Sequence, residues 1–99
     1  MAREYTVENY LEKRCKAVNA ACDKHVNPGK RGDPDRLISF PKSRYHCFVE
    51  TKWADDAAPE DHQLRRHDYW RSRGMDVWVI GSRIGVDMWM ARMRLLGHW

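Results

Sequence analysis

Two short stretches of this chain carry side chains able to do chemistry together: Pro34-Asp35 and Glu50-Thr51-Lys52. On a strand, residues two apart share a face, so Glu50 and Lys52 project together while Thr51 points away. Phe48 and Val49 precede them, which implies burial. Opposite charges at the end of an apolar strand are costly unless they pair or bind something. Asp35 begins the preceding strand or ends its loop, and a hairpin would bring its carboxylate near Glu50. Two carboxylates converging on a point suit a hard divalent cation, Mg²⁺ or Mn²⁺, which takes oxygen ligands and keeps several waters. The Thr51 carbonyl would supply a third oxygen. The Lys52 ammonium would help activate a water and stabilise negative charge on a phosphate in flight. That is the apparatus of phosphodiester hydrolysis.

The elements that must position these groups are legible as patterns. Val7, Tyr10, Leu11, Cys15 and Val18 have helical spacing over 7–18, with Thr6 as the expected N-cap and Tyr5 and Tyr10 at the staple positions. A short strand is expected over 22–26, then a turn at Asn27-Pro28-Gly29 and a basic Gly/Pro loop through Lys30-Arg31-Gly32-Asp33-Pro34. Strands follow at 36–40 and 45–53, separated by the turn Pro41-Lys42-Ser43-Arg44. Pro59 suits the first position of a second helix, Glu60 and Asp61 its first turn, and Gly74 its end. A buried strand over 75–80 and a last helix over 84–96 complete the order α-β-β-β-α-β-α. A hairpin followed by a βαβ crossover makes an α/β domain, a mixed four-stranded sheet flanked by helices.

Ninety-nine residues suffice for one domain, 1–99, and not for two cores. With 42% hydrophobic and 32% charged residues the balance is globular. The net charge of +4 is compatible with a phosphate-bearing partner without demanding one. No apolar run approaches the roughly 18 residues that span a bilayer, and no basic-then-apolar leader opens the chain. A cytoplasmic, soluble domain with no membrane partner is therefore expected. Three cysteines and five histidines lack the paired short spacings of a zinc site or a disulfide framework. His46-Cys47 reads as strand packing.

Asp35 followed by Glu50-Thr51-Lys52 resembles the Pro-Asp…(Asp/Glu)-x-Lys signature of the restriction-endonuclease-like nucleases. Within that superfamily the chain is most similar to the VRR-NUC family, which includes small phage-encoded nucleases and the C-terminal domain of the Fanconi-associated nuclease. The resemblance extends over Val7-Glu8-Asn9-Tyr10-Leu11, Asp23-Lys24-His25-Val26-Asn27-Pro28-Gly29 and Gly32-Asp33-Pro34-Asp35-Arg36. It continues through Phe48-Val49-Glu50-Thr51-Lys52 and through Gln63 and His67 on the second long helix. It implies a restriction-endonuclease-like core, Asp35 and Glu50 as metal ligands, Lys52 as the catalytic lysine, Glu8 as a further acidic site residue and Gln63 facing the site. It implies cleavage of structured DNA by a metal-dependent endonuclease. A stand-alone domain of this size looks like the phage members that dimerise and resolve four-way (Holliday) junctions. The alternatives are a flap or linear-duplex nuclease, or a non-catalytic DNA-binding module in a phage or repair complex. Asp33 and Thr51 depart from the family pattern. An acid at 33 would raise the Asp35 pKa by repulsion or join the outer shell of the metal.

The remaining candidates divide between site and scaffold. At ~100° per residue Glu8 borders the apolar seam and Glu12 lies further toward solvent, so Glu8 is the better site candidate; a first-turn acid favoured by the helix dipole is the other reading. Lys24, Lys30, Arg31 and Arg36 are the expected DNA contacts. Gln63 shares a face with His67, Trp70 and Gly74. His67 is either a general base or, more safely, a satisfied, partly buried histidine. Arg65, Arg66, Arg71 and Arg73 fall on the outer face of that helix. Trp78 and Trp89 read as core, and Trp53 is the tryptophan expected near substrate. Met88, Leu95 and Trp99 form a second apolar stripe, read equally as a dimer interface or as a greasy C-terminus.

Overall fold

In the computed structural model of the chain the backbone is described from residue 3 to residue 99, and the side chains from residue 6. Helix α1 (Arg3–Ala17) leads to β1 (Ala21–Lys24), β2 (Arg36–Phe40) and β3 (Tyr45–Thr51). Helix α2 (Asp61–Arg71), β4 (Asp76–Ile80) and α3 (Arg83–Leu95) follow. The sheet order is β1-β2-β3-β4, antiparallel across the first two pairs and parallel between β3 and β4. The α2 crossover thus joins two parallel neighbours, as the pattern requires. No helix among the described residues is long and apolar enough to cross a membrane.

The two faces of the sheet have different chemistry. Ile38 and Phe40 of β2 and Cys47 and Val49 of β3 face α1 and α3, where Leu11, Cys15, Val86, Met90 and Met93 complete a core with no exposed atoms to speak of. Trp89 belongs to this core and Trp78 packs on its edge, donating from Nε1 to the Tyr45 hydroxyl at 3.2 Å. On the other face Phe48 packs against Trp70 of α2 and the His25 ring. His46 is exposed and Cys47 buried, so strand alternation splits that pair. Cys15, Cys22 and Cys47 are free thiols.

Element ends differ from the pattern for local reasons. No Pro or Gly interrupts the first segment, so α1 begins at Arg3 and Thr6 lies inside it rather than capping it. The staple expected between Tyr5 and Tyr10 lies outside the described side chains. Glu60, not a residue before Pro59, is the N-cap of α2; its N–H donates to the Gln63 side chain at 2.9 Å. Ser72 caps the other end, and Gly74 turns the chain out at φ 90°. Ser82 caps α3 by accepting from the Gly85 N–H at 2.9 Å.

The loop ahead of Asp35 is tied down by one acid. Asp33 accepts from Asn27 Nδ2 at 3.0 Å, meets His25 Nε2 at 3.0 Å, and takes an ion pair from Arg66. Burial pushes the Asp33 carboxyl up, but the bonds from Arg66, His25 and Asn27 outweigh it and hold it down at about 2. Asp33 therefore points away from Asp35; neither the expected repulsion nor an outer-shell role is its place. Arg66, expected on the outer face, is spent on this latch. Gly32 completes it: a β-carbon there would lie 2.6 Å from the His62 carbonyl oxygen, so only glycine lets the loop lie on α2. Replacing Asp33 with Ala leaves Asn27, His25 and Arg66 without their shared acceptor and should lower stability, read as a lower urea midpoint.

Candidate active site

The C-terminal end of β3 presents two groups of polar side chains, one on each face of the strand. Asp35 stands opposite Glu50 by extension of the β2–β3 register. It sits at a bend before β2, and its carboxylate turns to the α1 side. There Oδ1 accepts from the Thr51 N–H at 3.1 Å and Oδ2 from the Thr51 hydroxyl at 2.8 Å. The same hydroxyl is 3.5 Å from Glu8 Oε1, which α1 delivers from the turn between Val7 and Leu11. Burial pushes the Asp35 carboxyl up to about 7; the Thr51 bonds pull against this, and the Glu8 carboxyl alongside adds to the rise. Besides the carbonyl oxygen expected of Thr51, its hydroxyl holds the acid, a role that strand alternation gives no reason to foresee.

On the α2 side, Glu50 is 3% exposed and both its oxygens are engaged. Oε2 pairs with Lys52 Nζ at 3.0 Å and Oε1 meets His67 Nε2 at 3.0 Å. Lys52 Nζ also donates to Gln63 Oε1 at 2.6 Å. Gln63 is thus used twice, closing the first turn of α2 and fixing the lysine. The expected sheet-facing placement of Gln63 and His67 holds. His67 is 1% exposed, and its Nδ1 has no hydrogen-bond partner. With its other nitrogen on Glu50, it positions the acid and is screened from solvent. Its spacing of four from Gln63 was the available signal.

Asp35, Thr51 and Glu8 are therefore brought together, as are Glu50, Lys52, Gln63 and His67, and the two groups adjoin through the Glu50–Thr51 peptide. Among the described residues, no three His, Cys, Asp or Glu side chains form one ready cluster. The donor chemistry nonetheless fits a hard cation. Asp35 and Glu8 are adjacent carboxylates; Arg36 reaches Glu8 at 3.6 Å but bonds Glu12 more closely, and Asp35, pushed up by burial, has no ion-pair partner among the described residues. A divalent ion relieves the cost of that burial, and all the donors are oxygens.

Other expected residues separate. Lys24, Lys30 and Arg31 are exposed, the last two on the loop leading to Asp35. Arg36 is not available to DNA: it is 3% exposed, bonded to Glu12 at 2.8 Å and 3.6 Å from Glu8. Its alternating position on β2 points it into the core face, where it holds the acids of α1. Met88 and Leu95 are 69% and 89% exposed, but Trp99 leaves that stripe. It folds back on the core past the end of α3 and donates to the Met90 carbonyl at 3.0 Å.

A mixed sheet that sets an acid at the opening of one strand against an acid–x–lysine end of the next is the architecture of a nuclease domain. The chain is similar to a solved VRR_NUC domain, with a TM-score of 0.86 and 34% identity over 92% of this chain and 97% of that one. It is also 35% identical over 83 residues to "Putative nuclease p44" of Acyrthosiphon pisum secondary endosymbiont phage 1, covering 84% of this chain and 87% of that protein. No protein-family model matches the chain. On these two likenesses, the chain belongs to the VRR-NUC family.

The coupling of the two α1-side acids can be measured directly. In metal-free protein the Asp35 carboxyl should titrate near 7 by NMR. Glu8→Gln removes the like charge and should move that midpoint down, while burial keeps it above the ordinary carboxylate range.

Proposed function

We propose that this chain is an endonuclease that hydrolyses DNA phosphodiester bonds with Mg²⁺ or Mn²⁺, one domain over residues 1–99. The observation that carries this is the Lys52 ammonium, held by Glu50 and Gln63 on one face of the strand end whose other face bears the paired acids Asp35 and Glu8. Asp35 and Glu8, with the Thr51 backbone, would hold the ion; Glu50, expected as a ligand, has its oxygens on Lys52 and His67 and would join by exchanging one of them. When bound, the ion supplies an activated water and neutralises charge on the phosphate.

The chain's own residues do the rest. Thr51 orients Asp35 through two donors, so the acid is aimed before any ligand arrives. Gln63 and Glu50 hold Lys52 where its ammonium meets a scissile phosphate; His67 keeps Glu50 from swinging away. Lys24, Lys30 and Arg31 contact flanking phosphates and fix register rather than sequence.

Branched DNA, a four-way junction above all, is the substrate proposed, and a homodimer the acting species. Two-fold symmetry would set two sites on opposed strands, and the exposed Met88 and Leu95 offer an apolar contact. The setting is the cytoplasm of a bacterial host, in keeping with the phage relative. The second reading, a flap or linear-duplex nuclease, uses the same site.

Lys52→Ala should keep junction binding and lose cleavage by about a hundredfold or more. A panel of linear, nicked, flap and four-way DNAs with Mg²⁺ or Mn²⁺ reads both, and undiminished cutting removes the lysine from the reaction. Leu95→Asp should convert a dimer to a monomer by mass measurement in solution; an unchanged mass places the contact elsewhere.

A further inference from the structure

Beside the site lies a cleft of about 380 Å³ that the chemistry above does not use. Thr6 and Val7 form one wall, immediately before Glu8; Trp53, immediately after Lys52, forms another; Ser82 and Arg83 close the third. Both catalytic-side segments therefore run straight into it. Trp53 is 54% exposed, a large apolar ring kept in water next to a buried polar site.

The ring is not there because its loop is loose. Lys52 N–H donates to the Ile80 carbonyl at 2.8 Å, and Ala57 N–H returns to Ala54 at 3.1 Å. Gly81 lies so close beneath that a β-carbon would sit 2.2 Å from the Ala54 carbonyl oxygen. Asp55 also lines the cleft; its Oδ1 lies 3.3 Å from where a Gly85 β-carbon would stand, in the first turn of α3, where the helix dipole offsets part of its charge. Arg83 is exposed at the rim and pairs with no carboxylate among the described residues.

Resting on the nuclease reading above, we propose that this cleft takes one nucleobase of the DNA strand flanking the scissile phosphate. The base is unstacked from its neighbours, with its face on the Trp53 indole and the adjoining phosphate on Arg83. Every base has a π-face, so such a platform selects for an available base, not for a sequence. Unstacking costs least where a base is already unpaired or at a discontinuity. The cleft is therefore the device by which this chain prefers branched over continuous duplex DNA.

The test places 5-iodouracil at successive positions either side of the cut in a branched DNA, irradiates the complex without added metal, and maps the cross-linked peptide. Cross-linking to Trp53 from one position is the expected result; its absence from every residue lining the cleft overturns the inference. In parallel, Trp53→Ala should lower the ratio of branched to duplex affinity by about tenfold, Trp53→Phe should restore most of it, and Arg83→Ala should weaken binding and flatten its salt dependence. An unchanged ratio in Trp53→Ala also overturns it. Wild-type protein that cuts the DNA panel while the cleft variants behave as wild type sinks the cleft alone. Wild-type protein that cuts none of the panel sinks the nuclease reading, and this inference with it.

Discussion

Three carboxylates are gathered at the end of one central strand, and among the described residues Asp35 is the one of the three with no cation in salt-bridge distance. Glu50 is balanced by Lys52 and steadied by His67. On the other face Glu8 has Arg36 at 3.6 Å, whereas Asp35 has only the Thr51 hydroxyl and N–H and the Glu8 carboxyl against it, and burial drives the Asp35 carboxyl toward its protonated form. The rest of the molecule serves to maintain that imbalance. An apolar core fixes α1 and the sheet so that the acids cannot drift apart, and the Asp33 latch fixes the loop that delivers Asp35.

Stored repulsion of this kind is a cost to folding that a bound divalent ion returns. It explains why Arg36 is buried beside Glu8 and Glu12 rather than offered to DNA. Without that guanidinium the N-terminal helix would bring two acids to the sheet with nothing to hold them. Arg36 thus contributes indirectly, by making the position of Glu8 tolerable, while Lys30 and Arg31 remain exposed on the loop.

The Glu50–Lys52 pair illustrates how one short helix start can serve both fold and site. Gln63 accepts the Glu60 N–H that begins α2 and the Lys52 ammonium at once. Any shift of α2 on the sheet would move the lysine. The aromatic contacts of Phe48 with Trp70 and His25 oppose such a shift on the same face. The helix is short, so its placement rests on these contacts more than on its own propensity.

The order of elements, the extent of β2, the core stripe of α3 and the grouping of Glu50 with Lys52 were legible in the sequence, because periodicities of 2 and 3.6 fix which side chains share a face. So were Gln63 and His67 as neighbours on the sheet side of α2. Which face Asp35 would choose was not legible, since a bend before a strand breaks alternation. Nor were the role of the Thr51 hydroxyl, the capture of Asp33 by Arg66, the burial of Arg36 or the return of Trp99 to the core. All but the last are contacts between residues far apart in the chain, settled by competition among several charged or polar partners for a few buried places. Local pattern ranks the candidates; only the packed structure, by excluding water from some and not others, decides which pair.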